Sequence, residues 1–473
     1  MSAESNNSNI PINQRKHTST GYVIAVCIAA ALGGTLFGYD QGVISGALNF
    51  FKIHFSMSSA EVGLVSGILA IGAMVGCLVA GFASDAIGRK AVMVIAGGMF
   101  TISSLILAIS PTVPILILGR ILSGFAIGMA ATVVPLYISE VAPARIRGTL
   151  VTFNQFAFAI GMTTVYIVNA LIANLNSQTF NINFGWRWMF ASGMVPAVIF
   201  FVLGYFVPES PRFLYQHGKD SKALSILIRL NGEEEAKKQQ EAITTSLETA
   251  KKEGHTGLRQ LFAPGVRYAL VIALVAAACQ QLTGTIAVGY YAPIIFQKTG
   301  VSTNASLVET IGIGFVKIIF VGIFMIFVDR FARKQLLKWG GYAMAISLVF
   351  LAVLFSTGKS DMLINILILV GVLLHTAFYE LSWGGGTWVV VSEIFPTEIR
   401  GRAMSLSSMT VFLTSYFVSQ LFPMMLNGLG GVWTFLIFAV FCVGMAIFAQ
   451  YALPDTTGKS LEQIEAEITH QKK

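Results

Sequence analysis

Asp40 lies in an otherwise apolar run, residues 22–50, and Arg120 in another, residues 114–138. A charge near the centre of a bilayer costs at least ~2.5 kcal/mol on insertion scales, so such residues are expected to face inward and pair. Their simplest partners are each other. Acid-and-base clusters also recur at fixed spacing. Ser139, Glu140, Pro143, Ile146, Arg147 and Gly148 return at the same offsets as Ser392, Glu393, Pro396, Ile399, Arg400 and Gly401. Asp85, Gly88, Arg89 and Lys90 return as Asp329, Ala332, Arg333 and Lys334, and Glu209 with Arg212 closes the first half. A carboxylate facing an arginine across a helix end can latch two halves together. The plainer alternative is a set of topology signals and surface ion pairs worth under about 1 kcal/mol each. The repetition of the spacing favours the latch, and a duplicated membrane unit carries its chemistry between the copies.

The elements that position these groups follow from composition. The 473 residues are 55% hydrophobic and 11% charged, with a mean hydropathy of +0.72, which no ordinary soluble protein shows. The net charge of +8 sits in short clusters between apolar runs, which argues against nucleic-acid binding. Cys27, Cys77, Cys279 and Cys442 lie far apart inside apolar segments, so neither a disulfide framework nor a metal site is expected. At roughly 20 residues per span, about twelve helices are predicted, near 22–50, 61–82, 92–110, 114–138, 149–173, 187–207, 267–297, 308–328, 336–356, 363–391, 402–424 and 432–452. The first is too long for a cleaved signal.

The expected organisation is an all-α membrane protein with an N-terminal tail (1–20), a six-helix half (21–208) and a linker with soluble helices (209–266). A second six-helix half (267–453) and a C-terminal tail (454–473) follow. One face of a twelve-helix arrangement collects nearly all the Lys and Arg, and the other only Lys52, Arg187, Lys298 and Lys359. Both termini and the linker are therefore expected in the cytoplasm, and the chain in the plasma membrane.

From Gly34 to Glu465 the chain resembles the sugar porters of the major facilitator superfamily, which include bacterial pentose and hexose proton symporters and animal facilitative glucose transporters. The resemblance rests on Gly38-Tyr39-Asp40, Asp85 to Lys90, Arg120, Glu140 to Gly148, Pro208 to Arg212, Gln280-Gln281, Tyr290-Tyr291, Glu393 to Gly401 and Pro454 to Glu465. It implies the major facilitator fold, with twelve transmembrane helices in two six-helix halves, alternating access and one central site. It also implies that Asp40 takes up and releases the coupling proton. A cationic neighbour favours the ionised carboxylate and desolvation the neutral one, so a moving Arg120 would switch proton affinity. A static pair that fixes packing is the alternative. Facilitative relatives commonly have an uncharged residue at this position, so Asp40 points to symport. The substrate contacts it implies are Gln155, Gln280, Gln281, Tyr290, Tyr379, Gly384 and Trp388. Amides offer a donor and an acceptor to neighbouring hydroxyls, and an aromatic face packs on a pyranose ring. Buried amides can equally bond helices to one another.

Departures from the family pattern fall on the same site. Gly284 is followed by Thr285 and Ile286, so a sugar-binding asparagine is absent; Lys317 stands where another is usual; Val411 and Phe412 replace a polar residue and a frequent tryptophan. The tenth helix adds His375 and Glu380, and Glu380, Gly384 and Trp388 share one face at spacings of four. Lys317 and Glu380 are expected to pair within the membrane. Either the pair neutralises itself, or Lys317 meets an anionic substrate such as a sugar acid. His375 reads as a packed residue or as a pH sensor. Ala332 in place of glycine, where the backbone turns, is expected to weaken the second latch, and Gly384 to Gly386 to make a hinge.

A phosphate loop is excluded, because Gly458-Lys459-Ser460 has Leu453 where the first glycine belongs. The expected function is import of a monosaccharide, a pentose or hexose such as xylose, arabinose, galactose or glucose, by proton symport. The partners are sugar, proton and bilayer; no cofactor or metal is expected, and the working unit is a monomer. A sugar-acid or polyol porter, a uniporter and a non-transporting sugar sensor are the alternatives, and the short C-terminal tail disfavours the sensor.

Overall fold

An apolar run in lipid must satisfy its own backbone polar groups, which a helix does. In the computed structural model, twelve helices among the described residues are long and apolar enough to cross a membrane. Residues 20–143, 147–252, 261–262, 266–327, 331–359, 361–395 and 397–454 are described. The spans are Gly21–His54, Ser59–Ile87, Arg89–Ile109, Val113–Val141, Phe153–Leu175, Gln178–Phe206, Arg267–Gln297, Thr303–Phe327, Arg333–Ser356, Met362–Glu393, Gly401–Gly428 and Gly430–Tyr451. They are called the first to the twelfth span.

Three spans are interrupted. The sixth starts at Gln178, earlier than expected, because a wide π turn at Asn181–Gly185 keeps a polar stretch helical. Asn181 steadies it by donating its amide to the Ala173 carbonyl at 2.9 Å. Arg187 thereby falls within the span and donates to the carbonyls of Ala108 (3.2 Å) and Ser110 (2.7 Å), closing the end of the third span. The seventh span breaks into Arg267–Leu282 and Thr285–Gln297 around Gly284, whose φ of 81° suits a residue without Cβ. The tenth contains a second wide turn, Glu380–Gly384, immediately before Gly385, where the glycine run predicts a hinge.

Within the first half, glycines let backbones touch. A Cβ on Gly38 or Gly34 would collide with the backbone oxygens of Phe158 and Asn154, which seats the first span on the fifth. Gly72, Gly76, Gly124 and Gly128 seat the second span on the fourth in the same way, against Ile121, Phe125, Leu69 and Ala73. Such contacts let helices associate where lipid supplies no hydrophobic drive. Gly124→Val should therefore destabilise the protein by about 3 kcal/mol or more, since the spans must part. Gly81→Ala, which meets nothing within 4 Å, should be tolerated. Thermal unfolding of the two purified variants checks this, and an unchanged Gly124→Val would refute the seam.

After Phe206 the described part of the linker holds three helices, Pro211–Gln216, Asp220–Asn231 and Glu233–Lys252, as the polar linker predicts. They share a small core of Phe213, Leu214, Tyr215, Ala223, Leu227 and Ala236. Arg229 stacks over Tyr22 at 4.4 Å and so fastens them to the first half. The halves themselves meet at the opposite end. Gln420 donates to the Ala60 carbonyl (2.9 Å), Asn427 to the Ser59 hydroxyl (2.7 Å) and Tyr166 to the Gly289 carbonyl (3.0 Å). Phe412 packs on Phe37 at 6.1 Å and on Ala70, Ala73 and Cys77. Towards the linker end, the core of the first half contains no residue of the second among the described residues. The molecule is closed at the end away from the linker.

Candidate proton and substrate site

Asp40 and Arg120 do meet. Arg120 is fully buried and donates from Nη1 to Asp40 Oδ2 at 2.6 Å, while Asp40 is 2% exposed. The other carboxylate oxygen accepts from the Ser123 hydroxyl at 2.6 Å, and Arg120 Nε donates to the Val65 carbonyl at 3.3 Å. Sequence reading missed Ser123, although it lies three residues after Arg120 and hence on the same helical face. Arg120 Nη2 is buried without a partner. A buried donor left unpaired is costly.

The second half holds its own buried pair: Lys317 of the eighth span donates to Glu380 Oε1 at the start of the wide turn in the tenth. The Lys317 ammonium also lies 5.6 Å from the centre of the Tyr379 ring. Gly384 sits under the carboxylate, where a Cβ would be 2.9 Å from Glu380 Oε2. Gln280 is committed as well. Its Nε2 donates to the carbonyls of Trp383 (3.1 Å) and Gly384 (2.8 Å), which ties the seventh span to the wide turn. Trp383 completes the junction by donating to the Leu337 carbonyl of the ninth span at 2.8 Å. In this state Gln280 and Gly384 serve packing, and the helix-to-helix reading of the amide applies to Gln280. Gln155, Gln281, Tyr379 and Trp388 are half-buried and Tyr290 is buried. His375 is enclosed and faces the Thr285 hydroxyl at 3.3 Å, which fits the packed reading.

The charged clusters pair within each half. Arg89 grips Glu140 through Nε and Nη2, both at 3.1 Å, and Asp85 at 3.2 Å. Glu209 Oε1 accepts from the backbone amides of Arg89 (3.0 Å) and Lys90 (3.2 Å), while Ser210 donates to Glu140. Gly88, at φ 99°, leaves the space that the Glu209 carboxylate fills. In the repeat, Ala332 takes an ordinary extended backbone with φ −61°, so its Cβ is accommodated, and Arg333 reaches Glu393 at a longer 3.5 Å. Arg212 forms no ion pair among the described residues. Asp329 and the side chains of Arg147 and Arg400 lie outside them.

A buried carboxylate–guanidinium pair in one half, polar groups on interrupted helices of the other, and a seam closed at one end define a secondary transporter. The chain belongs to the sugar (and other) transporter family, whose model matches residues 26–468. It is 39% identical over 457 residues to the arabinose-proton symporter of Bacillus subtilis (strain 168), covering 97% of each chain. Identity to the D-xylose-proton symporter of Escherichia coli (strain K12) is 36% over 480 residues, covering 95% of this chain and 96% of that one. An inward open structure of the xylose transporter XylE from E. coli superimposes with a TM-score of 0.82 at 34% identity, over 94% of this chain and 100% of the other. The protein is thus a multi-pass membrane transporter of the major facilitator fold, and not an enzyme.

Proposed function

We propose that the protein imports a neutral monosaccharide, a pentose or hexose, by proton symport across the cell membrane, as a monomer with both termini in the cytoplasm. Two halves, 21–208 and 267–453, rock about a central site, and the linker, 209–266, stays on the cytoplasmic side. The observation that carries this reading is the buried Asp40–Arg120–Ser123 cluster. An uncharged sugar cannot be driven uphill by its own binding energy, whereas a proton entering through ~100 mV contributes about 2.3 kcal/mol. Asp40 is the group placed to carry that proton. Similarity to arabinose- and xylose-proton symporters supports the substrate class. A neutral sugar is favoured over a sugar acid because the Lys317 charge is already matched by Glu380.

In this state the end away from the linker is shut, which corresponds to an inward-facing carrier. The arginine–glutamate clusters then latch the halves in the opposite state. Sugar hydroxyls bind among Gln155, Gln281, Tyr290 and Trp388, and Gln280 joins them as helix seven moves. The test is uptake of labelled pentoses, hexoses, polyols and sugar acids into proteoliposomes with and without an inward proton gradient. Gradient-dependent accumulation of a neutral sugar is expected. Equilibration without accumulation would make the protein a uniporter, transport of sugar acids alone would overturn the substrate class, and no uptake of any kind would favour a sensor.

A further inference from the structure

At the end away from the linker, a cavity of about 100 Å³ lies between the halves, lined by Lys52, Ser59 and Val62 of the first and by Tyr291, Lys298 and Asn427 of the second. Its walls are bridged by the hydrogen bond from Asn427 to Ser59, and Tyr291 is fixed by its bond to the Ser419 carbonyl at 2.7 Å. Neither lysine makes an ion pair or a side-chain hydrogen bond among the described residues. The closest carboxylate along the chain to Lys52, Glu61, is engaged by the amide and hydroxyl of Ser58, both at 2.8 Å. His54 packs on Phe55 and Trp186. Two cations, a half-buried Lys52 and an exposed Lys298, one from each half, therefore line one small space with no carboxylate in its lining, whose remaining wall is the apolar Val62, Ile294, Pro423 and Leu426.

We propose that this cavity is an oxyanion site that holds the outer gate shut. At about 10–15 Å³ of such space per water, the cavity holds several waters and has room for a sulfate, phosphate or carboxylate group. Lys52 and Lys298 line one cavity only when this end closes, because they ride on different halves. Alone, their repulsion opposes closure. An oxyanion between them reverses the sign, with the Ser59 hydroxyl and the Asn427 amide as further polar contacts. A ligand that binds only the closed end must populate that state and delay reopening. The inference rests on the proposed orientation, which puts this cavity outside the cell. Dissolved anions and the phosphate of an anionic lipid share the required chemistry.

Thermal unfolding in neutral detergent, comparing sulfate with chloride at equal ionic strength, tests the site without needing transport. Sulfate should raise the midpoint of the wild type more than that of Lys52→Gln/Lys298→Gln, a difference that removes the general stabilising effect of sulfate. Lys359→Gln, on an exposed turn elsewhere, should respond as the wild type. Lys52→Gln alone gives the same comparison where the double variant is not recovered. In phosphatidylcholine vesicles, external sulfate should slow uptake about 5-fold or more in the wild type only. Slowing in vesicles that contain phosphatidylglycerol, without sulfate, would identify a lipid as the source. An equal response of wild type and double variant in both measurements overturns the site. Absence of uptake in chloride would count against the transport reading, and the unfolding comparison would still decide the anion site.

Discussion

Asp40→Asn should abolish sugar accumulation while sugar exchange persists. Asparagine keeps the shape of the side chain; its oxygen can accept from Arg120 and its amide N–H can donate to the Ser123 hydroxyl, the two groups that hold the carboxylate at 2.6 Å on each side. It cannot carry a proton. Without that step the carrier loses the ~2.3 kcal/mol available per proton at 100 mV, a concentration ratio of roughly 50-fold. Sugar should then only equilibrate. The variant also leaves Arg120 buried with no counter-charge, so its melting temperature should fall. Counterflow of labelled sugar in the same vesicles shows whether the protein is folded and can still rock. Normal gradient-driven accumulation by this variant would refute the coupling role.

The second large effect concerns the other buried pair. Lys317→Met or Glu380→Gln alone should destabilise the protein by about 3–5 kcal/mol, because each leaves one uncompensated charge in the membrane. The double variant should recover most of that loss, a strongly non-additive cycle. The pair does more than neutralise itself. Glu380 opens the wide turn that also receives both Gln280 hydrogen bonds, so the single variants should weaken sugar binding along with stability. Melting temperatures and sugar affinity of the four proteins read this out. Additive stabilities, or a Lys317→Met protein of unchanged stability that selects different sugars, would instead make Lys317 a substrate ligand.

The twelve spans were legible because a bilayer forces any apolar run of sufficient length into a helix, and the lysines and arginines mark which ends share a side. The Asp40–Arg120 pair was legible for the same reason, since two opposite charges in separate apolar runs have few other partners. The wide turns were not. One extra residue per turn leaves no trace in a span where nearly every position is apolar, and only the glycines at 384–386 hinted at the second. Gln280 shows a different limit. An amide in an apolar helix serves a sugar or a neighbouring helix equally well, and only the structure shows that in this state Gln280 donates to the Trp383 and Gly384 carbonyls. Ala332 shows the reverse, since the backbone accommodated the unexpected Cβ by leaving the left-handed region used at Gly88.

The glycine seams bear on how such a carrier can be re-engineered. Backbone touches backbone along the first and fifth spans and along the second and fourth inside one half, and more sparingly between the halves, where Gly63 and Gly67 of the second span face the Gln420 and Tyr416 carbonyls of the eleventh. The hydrogen bonds that join the halves are few by comparison: Gln420 to Ala60, Asn427 to Ser59 and Tyr166 to Gly289. Chimaeras that graft one whole half from a relative must match these bonds and also keep the close approach of Gly63 and Gly67 to the Gln420 and Tyr416 backbone and of Gly314 to Thr163, whereas a crossover inside a half would part a seam that has no side chains to adjust.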